Sequence, residues 1–245
     1  MTEPAFIDRD GERLAYVRRE GSGPGVVFMG GFRSDMDGTK AMALDAWAQQ
    51  TGRAFVRFDY FAHGASSGDW AEATITRWRE DALAVIDQLT EGPQIVVGSS
   101  MGGWTALLAA MARPERIKAL VLIAPAPDFT EKLMWSAFPF HVREAIEREG
   151  RWMQPSDYGE PFLITRKLIE DGRSWSILDA PVPITAPVRI LQGWRDQDVP
   201  WSHAVQLVEA LQSTDVELHL KKAGDHRLSS HADLQLLADT IEALS

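Results

Sequence analysis

Gln94-Ile95-Val96-Val97-Gly98-Ser99-Ser100-Met101-Gly102-Gly103-Trp104 is the stretch on which the fold turns. Residues suited to a buried strand run into Gly98-Ser99-Ser100-Met101-Gly102, a G-x-S-x-G pattern, and a small-residue helix is expected over residues 101–112. The pattern alone is weak; a strand before it and a helix after it give it meaning. A serine on such a turn stands exposed above the C-terminal edge of a sheet, and the flanking glycines let strand and helix approach closely. It also sits at a helix N-terminus, where the backbone dipole favours developing negative charge. Ser100 is the expected nucleophile. Ser99 lacks a glycine two residues away on either side.

The same alternation extends in both directions. Upstream, strand-like runs at 5–7 and 13–18 are joined by the turn pair Asp10-Gly11, and Gly25-Val26-Val27-Phe28-Met29-Gly30-Gly31 reads as a buried strand ending in two glycines. A helix over 39–51 has Ala41, Leu44 and Ala48 inward and is closed by Gly52. A strand over 54–59 leads into the Gly- and Ser-rich loop 62–68. The helix over 76–89 then lines up Trp78, Ala82, Val85, Ile86 and Leu89 on one face. Downstream come strands at 117–123, 188–192 and 216–220, with helices at 201–211 and 232–244. Between 125 and 187 the chain has many prolines and aromatics, two or three short helix candidates and no convincing strand. Near-continuous apolar strands alternating with amphipathic helices specify an α/β fold with a mostly parallel central sheet and helices on both faces. The expectation is a single domain over 1–245 with a cap inserted at about 126–186.

A serine hydroxyl needs a base to take its proton and a carboxylate to orient that base, in the chain order Ser, acid, His for this kind of elbow. Asp196 follows the strand 188–192, in Gly193-Trp194-Arg195-Asp196-Gln197-Asp198-Val199-Pro200, and is preferred as the acid. Asp198 competes from two residues away; its plainer role is to cap the helix starting near Pro200. His226, in Ala223-Gly224-Asp225-His226, follows the last strand, where the base should hang over the serine. The other histidines have plainer explanations: His219 within a strand, His231 and His203 near helix starts, His141 in the insertion, His63 in a turn-rich loop. The oxyanion hole should use the N–H of Met101 and a second donor from Gly30-Gly31-Phe32, for which the Phe32 N–H is the choice.

Composition narrows the function. With no cysteine, disulfides, iron–sulfur clusters, thiolate zinc sites and a cysteine nucleophile are excluded. A net charge of −10 argues against nucleic acid as a partner. The longest apolar runs are far short of a membrane span, so no stable membrane insertion is expected. Residues 1–10 have neither a basic start nor an apolar run, so no signal or transit peptide is expected and a bacterial cytoplasmic setting is. No cofactor and no metal are expected, and no clustered ligand set is visible.

Several segments together resemble a known family: Asp37-Gly38-Thr39-Lys40-Ala41, Arg57-Phe58-Asp59-Tyr60, Gly92-Pro93-Gln94, Gly98-Ser99-Ser100-Met101-Gly102-Gly103-Trp104, Ala112-Arg113-Pro114-Glu115, Val199-Pro200-Trp201, Ser213-Thr214-Asp215-Val216 and Asp225-His226-Arg227. They look like the mitochondrial palmitoyl-protein thioesterases of the α/β-hydrolase superfamily, which are also described as acyl-glucuronide esterases. The resemblance runs from about residue 25 to 244 and maps Ser100, Asp196 and His226 onto that family's triad. It implies a serine hydrolase acting on an acyl thioester or ester, S-acylated protein or peptide included, through an acyl-enzyme. Acyl length, leaving group and oligomeric state are not fixed by these motifs.

The segment 129–162 holds Phe129, Met134, Trp135, Phe138, Phe140, Trp152, Met153, Tyr158 and Phe162. These either line an apolar acyl channel, with Met134, Phe138 and Trp152 the chosen candidates, or form the cap's own core. The alternative functions are a carboxylesterase or carbon–carbon bond hydrolase acting on small metabolites, a cofactor-free perhydrolase, or a non-enzymatic ligand receptor on the same fold.

Overall fold

The structure is a computed structural model that describes residues 3–155 and 160–245. In chain order its elements are β1 (Ala5–Arg9), β2 (Glu12–Arg19), β3 (Ser22–Met29), α1 (Thr39–Thr51), β4 (Arg53–Phe58), α2 (Ile75–Leu89), β5 (Gln94–Ser99), α3 (Met101–Ala112) and β6 (Ile117–Ile123). There follow α4 (Phe140–Glu149), β7 (Arg151–Gln154), β8 (Phe162–Thr165), α5 (Arg166–Ser174), β9 (Val188–Gly193), α6 (Trp201–Ala210), β10 (Val216–Lys221) and α7 (His231–Glu242). Eight strands form one sheet in the order β1-β2-β4-β3-β5-β6-β9-β10. The pairs β1–β2 and β2–β4 are antiparallel and the other five are parallel.

The central strands are apolar at nearly every position because both faces are covered. On β3, Val27 and Met29 join the core under α2, α3 and α6, whereas Val26 and Phe28 face the core under α1 and α7. The period-two split recurs on β5, with Val96 on one side and Ile95 and Val97 on the other. Strand order reverses at β3, which pairs with β4 on one side and β5 on the other. Open α/β sheets bind ligands at the C-terminal strand ends beside such a switch point.

Among the described residues, none between 124 and 187 adds a strand to this sheet. They hold a π-helix (Thr130–Trp135), α4, β7, β8 and α5. The expectation of no strand here is corrected: β7 and β8 pair antiparallel, from Arg151↔Thr165 to Gln154↔Phe162. Each strand has four residues, too few for alternation to stand out before the pairing is known. Val142, Ile146, Ile164 and Ile169 give the segment a small core of its own. Buried Asp128 ties its two ends, accepting the Ile177 and Leu178 N–H groups at 2.9 and 3.0 Å. Tyr158 lies outside the described residues.

Candidate active site

Ser100 links β5 to α3 with φ 56° and ψ −119°. A residue with a Cβ in such a region costs roughly 1–3 kcal/mol and persists only where its surroundings over-determine it. Here they do. The Ser100 N–H donates to the Ile123 carbonyl (2.9 Å), and the Ser100 carbonyl accepts from Gly103 (2.8 Å) and Ala126 (3.1 Å). The two motif glycines are sterically required. A Cβ at Gly98 would run into the Gly102 carbonyl, and one at Gly102 into the carbonyls of Met29 and Gly30. The turn therefore presses the start of α3 against the end of β3, and Ser99 ends β5 as a buried residue.

Two loops at the same sheet edge supply the partners. His226, after β10, places Nε2 3.2 Å from Ser100 Oγ. Its Nδ1 lies 2.8 Å from Asp196 Oδ2, and the Asp196 side chain is fully buried. Asp196 is heavily hydrogen-bonded: Oδ1 accepts the N–H groups of Asp198 (2.9 Å) and Val199 (2.8 Å), and Oδ2 accepts Gln192 Nε2 (3.1 Å). Of the two competing aspartates it is Asp196 that meets the histidine. Asp198 is exposed, and its expected capping role is corrected: α6 starts after Pro200 with no side-chain cap. The acid and base loops touch closely, since a Cβ at Gly193 would strike the carbonyls of Gly224 and Asp225. Lys40 at the start of α1 braces the base loop, donating to the Arg227 carbonyl at 2.5 Å; burial lowers its pKa to about 8.

Gly31 passes so close to the serine that its added Cβ would stand 3.4 Å from Ser100 Cβ. Among the described residues neither the Phe32 N–H nor the Met101 N–H is engaged in a hydrogen bond, the latter as the first N–H of a helix. The Phe32 ring is held edge-on by Trp70, Trp78, Phe129 and Phe162, with centroids 5.3–5.9 Å away. Over this floor opens a cavity of about 970 Å³. Phe129, Leu133, Met134, Phe138 and Phe162 give it an apolar lining, and Arg33, Lys40, Arg195 and Asp198 line it as well, with the Arg33 guanidinium 4.4 Å from the Phe162 ring centroid. Trp152 is not among its lining residues. It pairs across the strands with Ile164 and packs into the cap segment's own core, because on so short a hairpin the core takes the largest side chain.

Asp196, Asp198 and His226 also bring ligand-type atoms within 4.8 Å of one another, a cluster the sequence did not suggest. Both Asp196 oxygens and His226 Nδ1 already have hydrogen-bond partners, so the mutual bonds account for it. Two participants were not singled out from sequence. Gln192 is a polar residue inside an apolar strand, which is a usable signal for a buried partner. His63 accepts the Arg33 N–H across 30 residues of chain, which leaves no local signature.

A mostly parallel α/β sheet with a serine elbow at its switch point, a histidine and a buried carboxylate defines a hydrolase, and the chain belongs to the alpha/beta hydrolase family, whose profile matches residues 26–240. It is 43% identical to the mitochondrial palmitoyl-protein thioesterase ABHD10 of Mus musculus, over 98% of this chain and 82% of that one. The same-named protein of Homo sapiens is 40% identical, over 99% of this chain and 80% of that one. The solved structure of the alpha/beta hydrolase domain-containing protein 10 from mouse superposes with a TM-score of 0.92 at 42% identity, covering 99% of this chain and 98% of that one. A putative hydrolase from Agrobacterium vitis gives 0.93 at 40% identity, covering 100% and 98%.

Proposed function

We propose that this hydrolase cleaves acyl thioesters and activated esters through Ser100, His226 and Asp196. The observation that carries the reading is the hydrogen-bonded row Asp196–His226–Ser100 on a strained elbow, under an apolar wall. Ser100 Oγ attacks the acyl carbon while His226 Nε2 takes its proton, and Asp196 steadies the imidazolium. The carbonyl electron pair moves to oxygen, which the Met101 and Phe32 N–H groups receive. As the tetrahedral centre collapses, the bond to the leaving thiol or alcohol breaks and His226 returns the proton to it. Water, deprotonated by His226, then releases the acid from the acyl-enzyme and restores Ser100. The preference for thioesters, including S-acyl cysteine in a protein or peptide, rests on the similarity to proteins named palmitoyl-protein thioesterase and on the apolar wall.

The test is hydrolysis of 4-nitrophenyl esters and acyl thioesters from acetyl to palmitoyl. Ser100→Ala and Asp196→Asn are expected to lose about 10³-fold or more in kcat, while exposed Asp198→Asn stays within about twofold of wild type. Rising activity with acyl length supports the thioesterase reading, and Ser100-dependent activity on short esters alone makes the substrate a small metabolite. Activity untouched by Ser100→Ala overturns the mechanism.

A further inference from the structure

We propose that His63 is a positioning residue of the oxyanion hole, holding the loop that carries the Phe32 N–H by accepting the next N–H along the chain. The inference rests on the proposed role of Phe32, so its test must separate the two.

His63 is 4% exposed. Its Nδ1 is 3.0 Å from the Phe61 carbonyl, which can only accept, so the proton sits on Nδ1. Nε2 is then a lone pair, and the Arg33 N–H donates to it at 3.1 Å. The ring cannot turn away, because Tyr60, Trp70 and Trp78 surround it at centroid distances of 5.1–5.9 Å. Burial depresses its pKa to about 4, with the Arg33 charge acting the same way, so the acceptor form persists at neutral pH.

The loop needs such a hold. Arg33 has φ 60°, a left-handed conformation that a residue with a Cβ does not keep unaided. Its peptide N–H follows Phe32 directly, so an unheld Arg33 would free the backbone beside Phe32 and loosen the N–H assigned to the oxyanion hole. The far end of the loop is fastened from the same neighbourhood. Asp59 Oδ1 accepts the Met36 N–H at 2.6 Å, and buried Arg57 donates to the Met36 carbonyl at 2.7 Å. Asp59 Oδ2 in turn accepts the Ala65 N–H at 2.8 Å, just past His63. The Gly- and Ser-rich loop after β4 thus serves as the mould on which the oxyanion loop is set.

His63→Phe keeps the ring but removes the acceptor; His63→Gln restores an acceptor near the Nε2 position. His63→Met replaces the Phe variant should that fail to fold. Each is compared with wild type for kcat and KM, and for inhibition by an alkyl trifluoromethyl ketone against its matched methyl ketone. Ser100 adds to the fluorinated carbonyl, giving a tetrahedral oxyanion that needs the hole, whereas the plain ketone occupies the site without it. The Phe variant should lose roughly 10–100-fold in kcat with KM within about threefold, less than the roughly 10²–10³ lost with one whole donor. It should bind the fluorinated ketone weaker by a similar factor and the plain ketone unchanged, and the Gln variant should recover part of both. A folded Phe or Met variant with wild-type kcat, or with the two ketones weakened equally, overturns the proposal. If wild type itself shows no Ser100-dependent preference for the fluorinated ketone, it is the serine mechanism that fails.

Discussion

At the scale of single residues, the site depends on buried polar groups whose charge state is set by their surroundings. Asp196 is fully buried, and the four hydrogen bonds it accepts fix its side chain against His226. His63 is kept neutral by burial, with its pKa down to about 4 from 6.5. Between those values the unfolded chain binds the proton and the folded chain does not, so stability rises with pH across this window. The contribution is present above pH 6.5 and lost as pH falls through about 4; at 1.36 kcal/mol per unit it amounts to about 3 kcal/mol. Asp59 and Asp81, raised to about 6 by burial, work the other way: their contributions are full below 3.8 and lost as pH rises through about 6. They are common to wild type and His63→Gln, so the difference between the two proteins isolates the histidine. Urea unfolding at a series of pH values from 7 to 4 should show the wild-type advantage shrinking by up to about 3 kcal/mol. A difference independent of pH would mean that His63 is not buried as the neutral base.

Among elements, the decisive junction is the one between β3, β5 and α3. Because a Cβ at Gly102 would occupy the space of the Met29 and Gly30 carbonyls, Gly102→Ala must push α3 away from the strand that leads to Phe32. Forced overpacking of this kind costs about 1–3 kcal/mol, or roughly 2–12 °C in Tm for a domain of this size. Thermal unfolding followed by circular dichroism checks it; an unchanged Tm would show that the close approach is dispensable. This junction was legible from sequence because its causes are local: an apolar run, glycines at fixed offsets, a small-residue helix. Asp196 and His226 were legible because each directly follows a strand of the regular alternation. The β7–β8 pair was not, since two four-residue strands show their alternation only once paired across the chain between them. Nor was the role of His63, which is made by a bond between two loops that only the folded sheet brings together.

At the scale of the whole molecule, the sheet edge carries the proposed Ser100, Asp196 and His226, and residues 126–162 contribute lining to the space above it. That space, about 970 Å³, lies near the top of the roughly 300–1,000 Å³ usual for ligand sites. Phe129, Leu133, Met134, Phe138 and Phe162 come from the segment between β6 and α5, whereas Ser100 and His226 come from the sheet edge. The two parts therefore act on different terms of the reaction. A change in the apolar wall should alter how much acyl chain is buried without moving the reacting groups, and so should scale with chain length. Full burial of one large apolar side chain is worth about 1.5–3 kcal/mol, and truncating Met134 or Phe138 forfeits contact of that order with a chain that reaches it. Met134→Ala and Phe138→Ala are thus expected to lower kcat/KM for palmitoyl substrates by roughly 10–100-fold and for acetyl substrates by less than about threefold. Trp152→Phe, in the cap's own core, should leave the ratio of palmitoyl to acetyl activity unchanged even where it lowers stability. The measurement is kcat/KM across the acyl series for the three variants. A uniform loss at every chain length would mean that the apolar wall does not hold the acyl group.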